Sequence, residues 1–154
     1  MRITSSSFRD EEHIPRQYSR YGEDKSPPLH IEGVPANARS LVLIVDDPDA
    51  TRGLFTHWIV FNIDPKTTDI GEDHVPEGAR QGANGWGESQ YGGPRPPSDD
   101  HRYFFRLYAL DAELDLPRGS TRATIESAMR AHVLDTAELM GRFAAPETAG
   151  AAAR

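Results

Sequence analysis

The chain contains no cysteine, which removes disulfides and thiolate metal ligands and leaves the redox compartment open. No apolar run approaches the length of a membrane span. The opening residues, Met1-Arg2-Ile3-Thr4-Ser5-Ser6-Ser7-Phe8, lack the apolar segment of a secretory signal, so a cytoplasmic location is expected. Basic residues are few: 17 Lys and Arg stand against 24 Asp and Glu, for a net charge of −7 and a pI near 5.3. A surface this acidic repels a phosphate backbone, so no nucleic-acid partner is expected, and the acidity reads as solubility. Internal repeats and long linkers are absent too. The 154 residues fit one domain, expected over 1–145, with a disordered tail over 146–154. A chain of that length buries roughly two-thirds of its unfolded surface, so it needs no staple.

What the sequence does have is punctuation. Its 12 prolines and 13 glycines divide it into short segments, which favours a mainly β layout. The run Leu41-Val42-Leu43-Ile44-Val45 predicts a strand buried on both faces, ended at Asp46-Asp47-Pro48-Asp49. A second strand is expected over His57-Trp58-Ile59-Val60-Phe61-Asn62-Ile63. A third is expected over 101–110, with His101, Tyr103, Phe105, Leu107 and Ala109 on one face and Arg102 and Arg106 on the other. Thr121 or Thr124 can cap a helix. Ile125, Ala128, Met129, His132, Val133, Thr136, Ala137 and Met140 keep the spacing of an amphipathic stripe. The helix should stop at Gly141, before a last short strand through Phe143.

These elements suggest a constellation. Antiparallel pairing sets the end of the first strand and the start of the second at one rim, which brings Asp47 toward His57. His101 and Tyr103 join them only if the third strand opens at the same rim, a condition the residues alone leave open. The segment Gly78 to Pro97 feeds His101 and holds Gly82, Gly85, Gly87, Gly92 and Gly93 before Pro94-Arg95-Pro96-Pro97. Glycines let backbone N–H groups form anion-binding concavities. No Gly-Lys-Ser/Thr follows, so this is not a nucleotide-hydrolase phosphate loop. His13, His30 and His74 lie in polar contexts and are expected to face solvent.

Several motifs, in fixed order, carry a family likeness. Ser26-Pro27-Pro28-Leu29, Asp47-Pro48-Asp49-Ala50, Thr56-His57-Trp58-Ile59-Val60-Phe61-Asn62 and Asn84-Gly85-Trp86-Gly87 come first. Tyr91-Gly92-Gly93-Pro94-Arg95-Pro96-Pro97, His101-Arg102-Tyr103 and Glu138-Leu139-Met140-Gly141-Arg142-Phe143 follow. Together they resemble the phosphatidylethanolamine-binding protein family over nearly the whole chain. The nearest likeness is to its short bacterial and archaeal branch, often labelled Raf kinase inhibitor-like.

The resemblance implies a mainly β fold in which a large antiparallel sheet packs against smaller sheet elements, with one C-terminal amphipathic helix and short helical turns. It also implies a rim pocket for phosphate or a phosphoethanolamine-like head group. Carried over by motif, the ligand-binding residues are Asp47, His57, Pro96, His101 and Tyr103, supported by Asp49, Trp58, Gly93 and Arg95. It implies a binding and regulatory protein rather than an enzyme, without cofactor or metal, able to modulate a kinase or protease and to form a homodimer. Thr51, Arg95 and the acidic link Ser98-Asp99-Asp100 depart from the family pattern and bear on ligand preference.

Imidazole N–H groups, the Tyr103 hydroxyl and backbone N–H groups can donate to an anion. Asp47 would then orient a histidine or meet the ammonium end of a zwitterion. The alternative is a hydrolase in which Asp47, His57 and His101 hold a metal or act as a base. The sequence offers no HExxH, serine-nucleophile motif or thiol for it.

Overall fold

A computed structural model describes residues 1–146; the expected tail lies outside the described residues from position 147 onward. Two antiparallel sheets form. The smaller has the order β1 (Arg2–Thr4), β2 (Leu29–Glu32), β5 (Asp69–Ile70). The larger has the order β6 (Arg80–Gln81), β4 (Phe55–Ile63), β3 (Ser40–Asp47), β7 (Asp100–Leu110), β8 (Val133–Ala144). A short 3-10 turn covers Arg16–Tyr18, and helix α1 covers Arg122–Met129.

The continuous apolar run puts β3 at the centre of the large sheet, because only a strand covered on both faces can bury every residue from Leu41 to Val45. Leu41, Leu43 and Val45 face the small sheet with Ile3, Leu29, Ile31 and Ile70. Val42 and Ile44 face α1 with Ile59, Phe61, Ile125 and Met129. β7 shows the alternation expected of it, with His101, Tyr103, Phe105, Leu107 and Ala109 buried and the residues between them partly exposed. Thr121 caps α1 by accepting from Thr124 N–H. From the first turn of α1, Arg122 donates to buried Asp46 and to Thr56 Oγ1, which ties the helix to the rim ends of β3 and β4.

The helix is shorter than the stripe predicts. It ends at Met129, and Val133–Ala144 is instead a long strand paired along β7. The apolar set in this stretch fits both periods, and Leu139 decides between them. It lies off the helical stripe, yet it is 2% exposed and shares the inward face with Ala137 and Phe143. Gly141 does not end a helix. It sits inside the strand opposite Tyr103, where an added Cβ would lie 2.4 Å from Ile14 of the segment crossing above it. That segment also covers part of the outer edge of β8: Ile14 N–H donates to Arg142 O, and Glu11 N–H donates to Met140 O. His132, expected on the helix stripe, is half-exposed in the turn before β8 and paired with Asp111 at 2.7 Å. His13 and His74 face solvent as expected, and half-exposed His30 bonds Asp69 and Glu32.

Candidate functional site

β7 runs antiparallel to β3, so its first residues lie at the end of β3. This meets the condition the residues alone left open: Asp47, His57, His101 and Tyr103 line one pocket at the rim, of about 210 Å³. Arg95 and Pro96 complete a wall with Pro97, while Ala50, Thr51, Phe55 and Trp86 form the remainder.

Strand alternation alone would not place His57 there. Ile59 faces α1, and a regular strand would send His57 the same way. Val45 pairs with Trp58 and Asp46 with Thr56, so His57 is the extra residue of a β-bulge. The bulge turns the ring to the pocket side, 5.1 Å from the Tyr103 ring. There it is 4% exposed, and its Nδ1–H donates to the Gly92 carbonyl at 2.7 Å. A carbonyl only accepts, so the proton is fixed on Nδ1 and Nε2 carries a lone pair. Burial lowers the His57 pKa from 6.5 to about 4, against the opposing pull of the Gly92 carbonyl and Asp47, so the ring is neutral at neutral pH.

Asp47 is engaged on both oxygens. Oδ1 accepts the Asp49 N–H at 2.7 Å, in the turn that Pro48 shapes, and Oδ2 accepts from His101 Nδ1 at 2.6 Å. His101 is thereby held with Nε2 as its free nitrogen. Tyr103 is 1% exposed, and its hydroxyl is buried without a hydrogen-bond partner among the described residues. Burial, then the charge and the hydrogen-bonding pull of the nearby Asp47 carboxylate, raise its pKa, so the phenol keeps its proton although it makes no hydrogen bond of good geometry to that carboxylate. A buried hydroxyl with no partner is costly, by about 1–3 kcal/mol, unless something else enters to accept from it.

The supporting residues act at a distance from the pocket. Asp49 accepts from Arg102 N–H, Nε and Nη2, each at 2.9 Å, which pins the loop after β3 to β7. Those bonds pull its pKa to about 2. Trp58 does not reach the pocket, because it follows the bulge and points into the core, with Nε1 donating to Gln81 at 2.7 Å. Gly93 anchors the glycine-rich segment through its N–H to Asp24 Oδ1 at 2.7 Å.

The glycines serve a different purpose from the expected one. The N–H groups of Gly82, Gly85 and Gly92 donate to the carbonyls of Ile59, Thr56 and His57, and that of Gly87 to Asn84, so none of these four is free to cradle an anion. What the segment needs is close approach: a Cβ on Gly85 would lie 2.4 Å from the Phe55 ring, and one on Gly92 2.3 Å from the Trp86 ring. Those two rings form an aromatic wall, packed edge-on with centroids 4.6 Å apart. Arg20 stacks behind Trp86, 3.7 Å from its centroid. Strand periodicity could not reveal this wall. Its signal was Trp86 standing 37% exposed between two glycines. Among the described residues no three His, Cys, Asp or Glu side chains are grouped to hold a metal ion, so Asp47, His57 and His101 share a pocket without forming a ligand set.

Comparison with known proteins agrees with this architecture. The family model of the phosphatidylethanolamine-binding protein matches residues 4–144. A UPF0098 protein of Methanothermobacter thermautotrophicus is 47% identical over 148 residues, covering 93% of this chain and 98% of the relative. One from Aquifex aeolicus is 44% identical, covering 93% of this chain and 88% of the relative. Among solved structures, a phosphatidylethanolamine-binding protein homolog from Chlamydia trachomatis superposes with a TM-score of 0.91 at 42% identity, covering 94% of this chain and 97% of the other. Escherichia coli YbcL, described as a member of the mammalian family, gives 0.88 at 28% identity, covering 94% and 98%.

The buried His57 sets a pH dependence. Its folded pKa lies below its unfolded value, so between pH 6.5 and about 4 the unfolded chain binds more protons. The stability it contributes is complete above pH 6.5 and is lost as pH falls toward 4, by about 3 kcal/mol. Urea denaturation at pH 7 and pH 4 should show that loss in the wild type and a smaller one in His57→Gln; equal losses would contradict the assignment.

Proposed function

The chain belongs to the phosphatidylethanolamine-binding protein family, and we propose that it is a small cytoplasmic binding and regulatory protein whose rim pocket accepts a phosphate or phosphoethanolamine-like group. The observation that carries this reading is the Tyr103 hydroxyl, buried without a hydrogen-bond partner among the described residues on a residue that lines the pocket. A ligand oxygen would supply the missing acceptor. Arg95, exposed at the mouth, adds a positive charge on an otherwise acidic protein. The Asp47 carboxylate, occupied on both oxygens, orients His101 and leaves its Nε2 for the ligand. A zwitterionic head group would bring its ammonium toward the same carboxylate.

Binding accounts for this geometry without a chemical step. The hydrolase alternative asks for a metal held by Asp47, His57 and His101 or for a histidine acting as a base; the Asp47–His101 pair has the form of an oriented base, and the same pair serves equally to hold His101 for binding. No helix among the described residues is long and apolar enough to cross a membrane. A kinase or protease partner would meet the loops at the pocket mouth, where Leu54 and Trp86 are the exposed large apolar side chains.

A homodimer is part of the proposal. Strand β8 is an edge strand. The N-terminal segment covers it near Met140 and Arg142, while Val133, 39% exposed, and half-buried Leu134 begin its other end.

Calorimetric titration with phosphate tests the pocket. His101→Ala should weaken binding at least about tenfold, on the order of 1.4 kcal/mol, and unchanged affinity would remove His101 from the site. Light scattering at high protein concentration should return the mass of a dimer, and a monomer mass would sink the interface.

A further inference from the structure

Three pocket residues are chain neighbours of two residues that face the other way. Asp47 follows Asp46, and Phe55 and His57 flank Thr56. Asp46 and Thr56 stand opposite each other in the β3–β4 register, and both are buried where the first turn of α1 meets the sheet. One side chain joins them there. Arg122 Nη1 donates to Asp46 Oδ1 and, at 3.0 Å, to Thr56 Oγ1, while its Nε donates to Glu126 Oε1 at 2.6 Å. Ile125 and Met129 anchor the helix that carries Arg122 in the core.

The joined pair closes the bulge at His57, with Val45–Trp58 on one side of it and Asp46–Thr56 on the other. A strand loses a bulge by moving one residue along its partner, which sends the side chains beyond it to opposite faces. In the regular register His57 would stand opposite Asp46, on the α1 side, and Thr56 would stand opposite Asp47, on the pocket side. That register has an attraction of its own, because an imidazole would then neutralise a carboxylate that is wholly buried. Burial raises the Asp46 pKa, and the charges of Arg122 and Arg106 pull it back down. Arg106 is the looser partner, 3.4 Å from Oδ2 and also bonded to Glu138 at 3.0 Å. Arg122 alone of the two also bonds β4.

We infer that Arg122 is a positioning residue of the rim pocket: from the opposite face of the sheet it holds Asp46 and Thr56 together, keeps the bulge in place and so turns His57 toward Gly92 and the pocket. Its charge satisfies the buried carboxylate, which removes the pull of Asp46 on His57. Its second hydrogen bond crosses to β4 and opposes the slip. The phases of Asp47 and Phe55 are set by the same pair, since each lies one residue beyond it. The effect on ligand affinity rests on the anion pocket proposed above; the effect on the His57 ring does not.

The test compares the full-length wild type with Arg122→Met and with Ile125→Val, which trims the contact of α1 with the core and leaves the Arg122 bonds alone. Nitrogen-15 spectra of the histidine rings, followed with pH, read His57 directly. In the wild type and in Ile125→Val the ring should keep its hydrogen on Nδ1 and titrate at about 4. In Arg122→Met the Nδ1–H signal should be lost or displaced, and the ring should titrate at or above 6.5, its ordinary value. Calorimetry with inorganic phosphate should show at least about tenfold weaker binding in Arg122→Met, and affinity within about threefold of the wild type in Ile125→Val.

A wild-type His57 ring in Arg122→Met overturns the inference, and so does the same ring change in Ile125→Val, which would mark general loosening. A displaced ring with phosphate affinity at the wild-type level overturns Arg122 as a positioning residue of the pocket. Where Arg122→Met fails to fold, Thr56→Val decides, since it cuts the bond to β4 and leaves Asp46 paired: a displaced ring supports the inference and a wild-type ring overturns it. A wild-type protein that binds no phosphate overturns the anion pocket, and the ring comparison still decides the role of Arg122.

Discussion

The hydrogen bond from His57 Nδ1–H to the Gly92 carbonyl joins the large sheet to the glycine-rich segment that walls the pocket. It depends on a bulge, because without the extra residue at position 57 the ring would face the helix. It depends equally on Gly92 and Gly85, whose missing side chains let Trp86 and Phe55 close over that ring. One bond thereby fixes a tautomer, lines a cavity and docks a long irregular segment onto the core.

A second set of contacts fixes the opposite side of the rim. Asp47 holds His101, the Asp47-Pro48-Asp49 turn returns an N–H to Asp47, and Asp49 grips the backbone and guanidinium of Arg102. The two acidic residues therefore act mainly on the protein itself. This eases the oddity of a carboxylate in a pocket proposed for anions: each of its oxygens already accepts a hydrogen bond from the protein when a ligand arrives. On the other face of β3, Asp46 is tied to Arg122 of α1, so the helix braces the strand end that carries Asp47.

Much of the fold was legible from residue patterns. The unbroken apolar run of β3 and the strict alternation of β7 each mapped directly to burial. The stretch after Met129 was not, because its apolar residues satisfy helical and strand spacing alike, and pairing along β7 decided for the strand. Two-residue strands such as β5 and β6 carry no periodic signal at all. At the site, the neighbourhood of Asp47 and His57 followed from antiparallel geometry, and ordered motifs added His101, Tyr103 and Pro96. His57 reaches the pocket side only through a bulge, which no local pattern announces, and Trp58, expected to support the pocket, keeps the regular inward face with Val60 and points into the core. The glycines were recognised as permitting close approach, but what approaches is an aromatic wall and not a ligand.

The central claim is that the rim pocket receives an anion through Tyr103 and its neighbours. A crystal structure of the protein grown in phosphate tests it most directly. The account predicts a phosphate with one oxygen accepting from Tyr103 Oη and another within hydrogen-bond distance of His101 Nε2. A pocket filled only by water at saturating phosphate, with the Tyr103 hydroxyl bonded to that water, would contradict it.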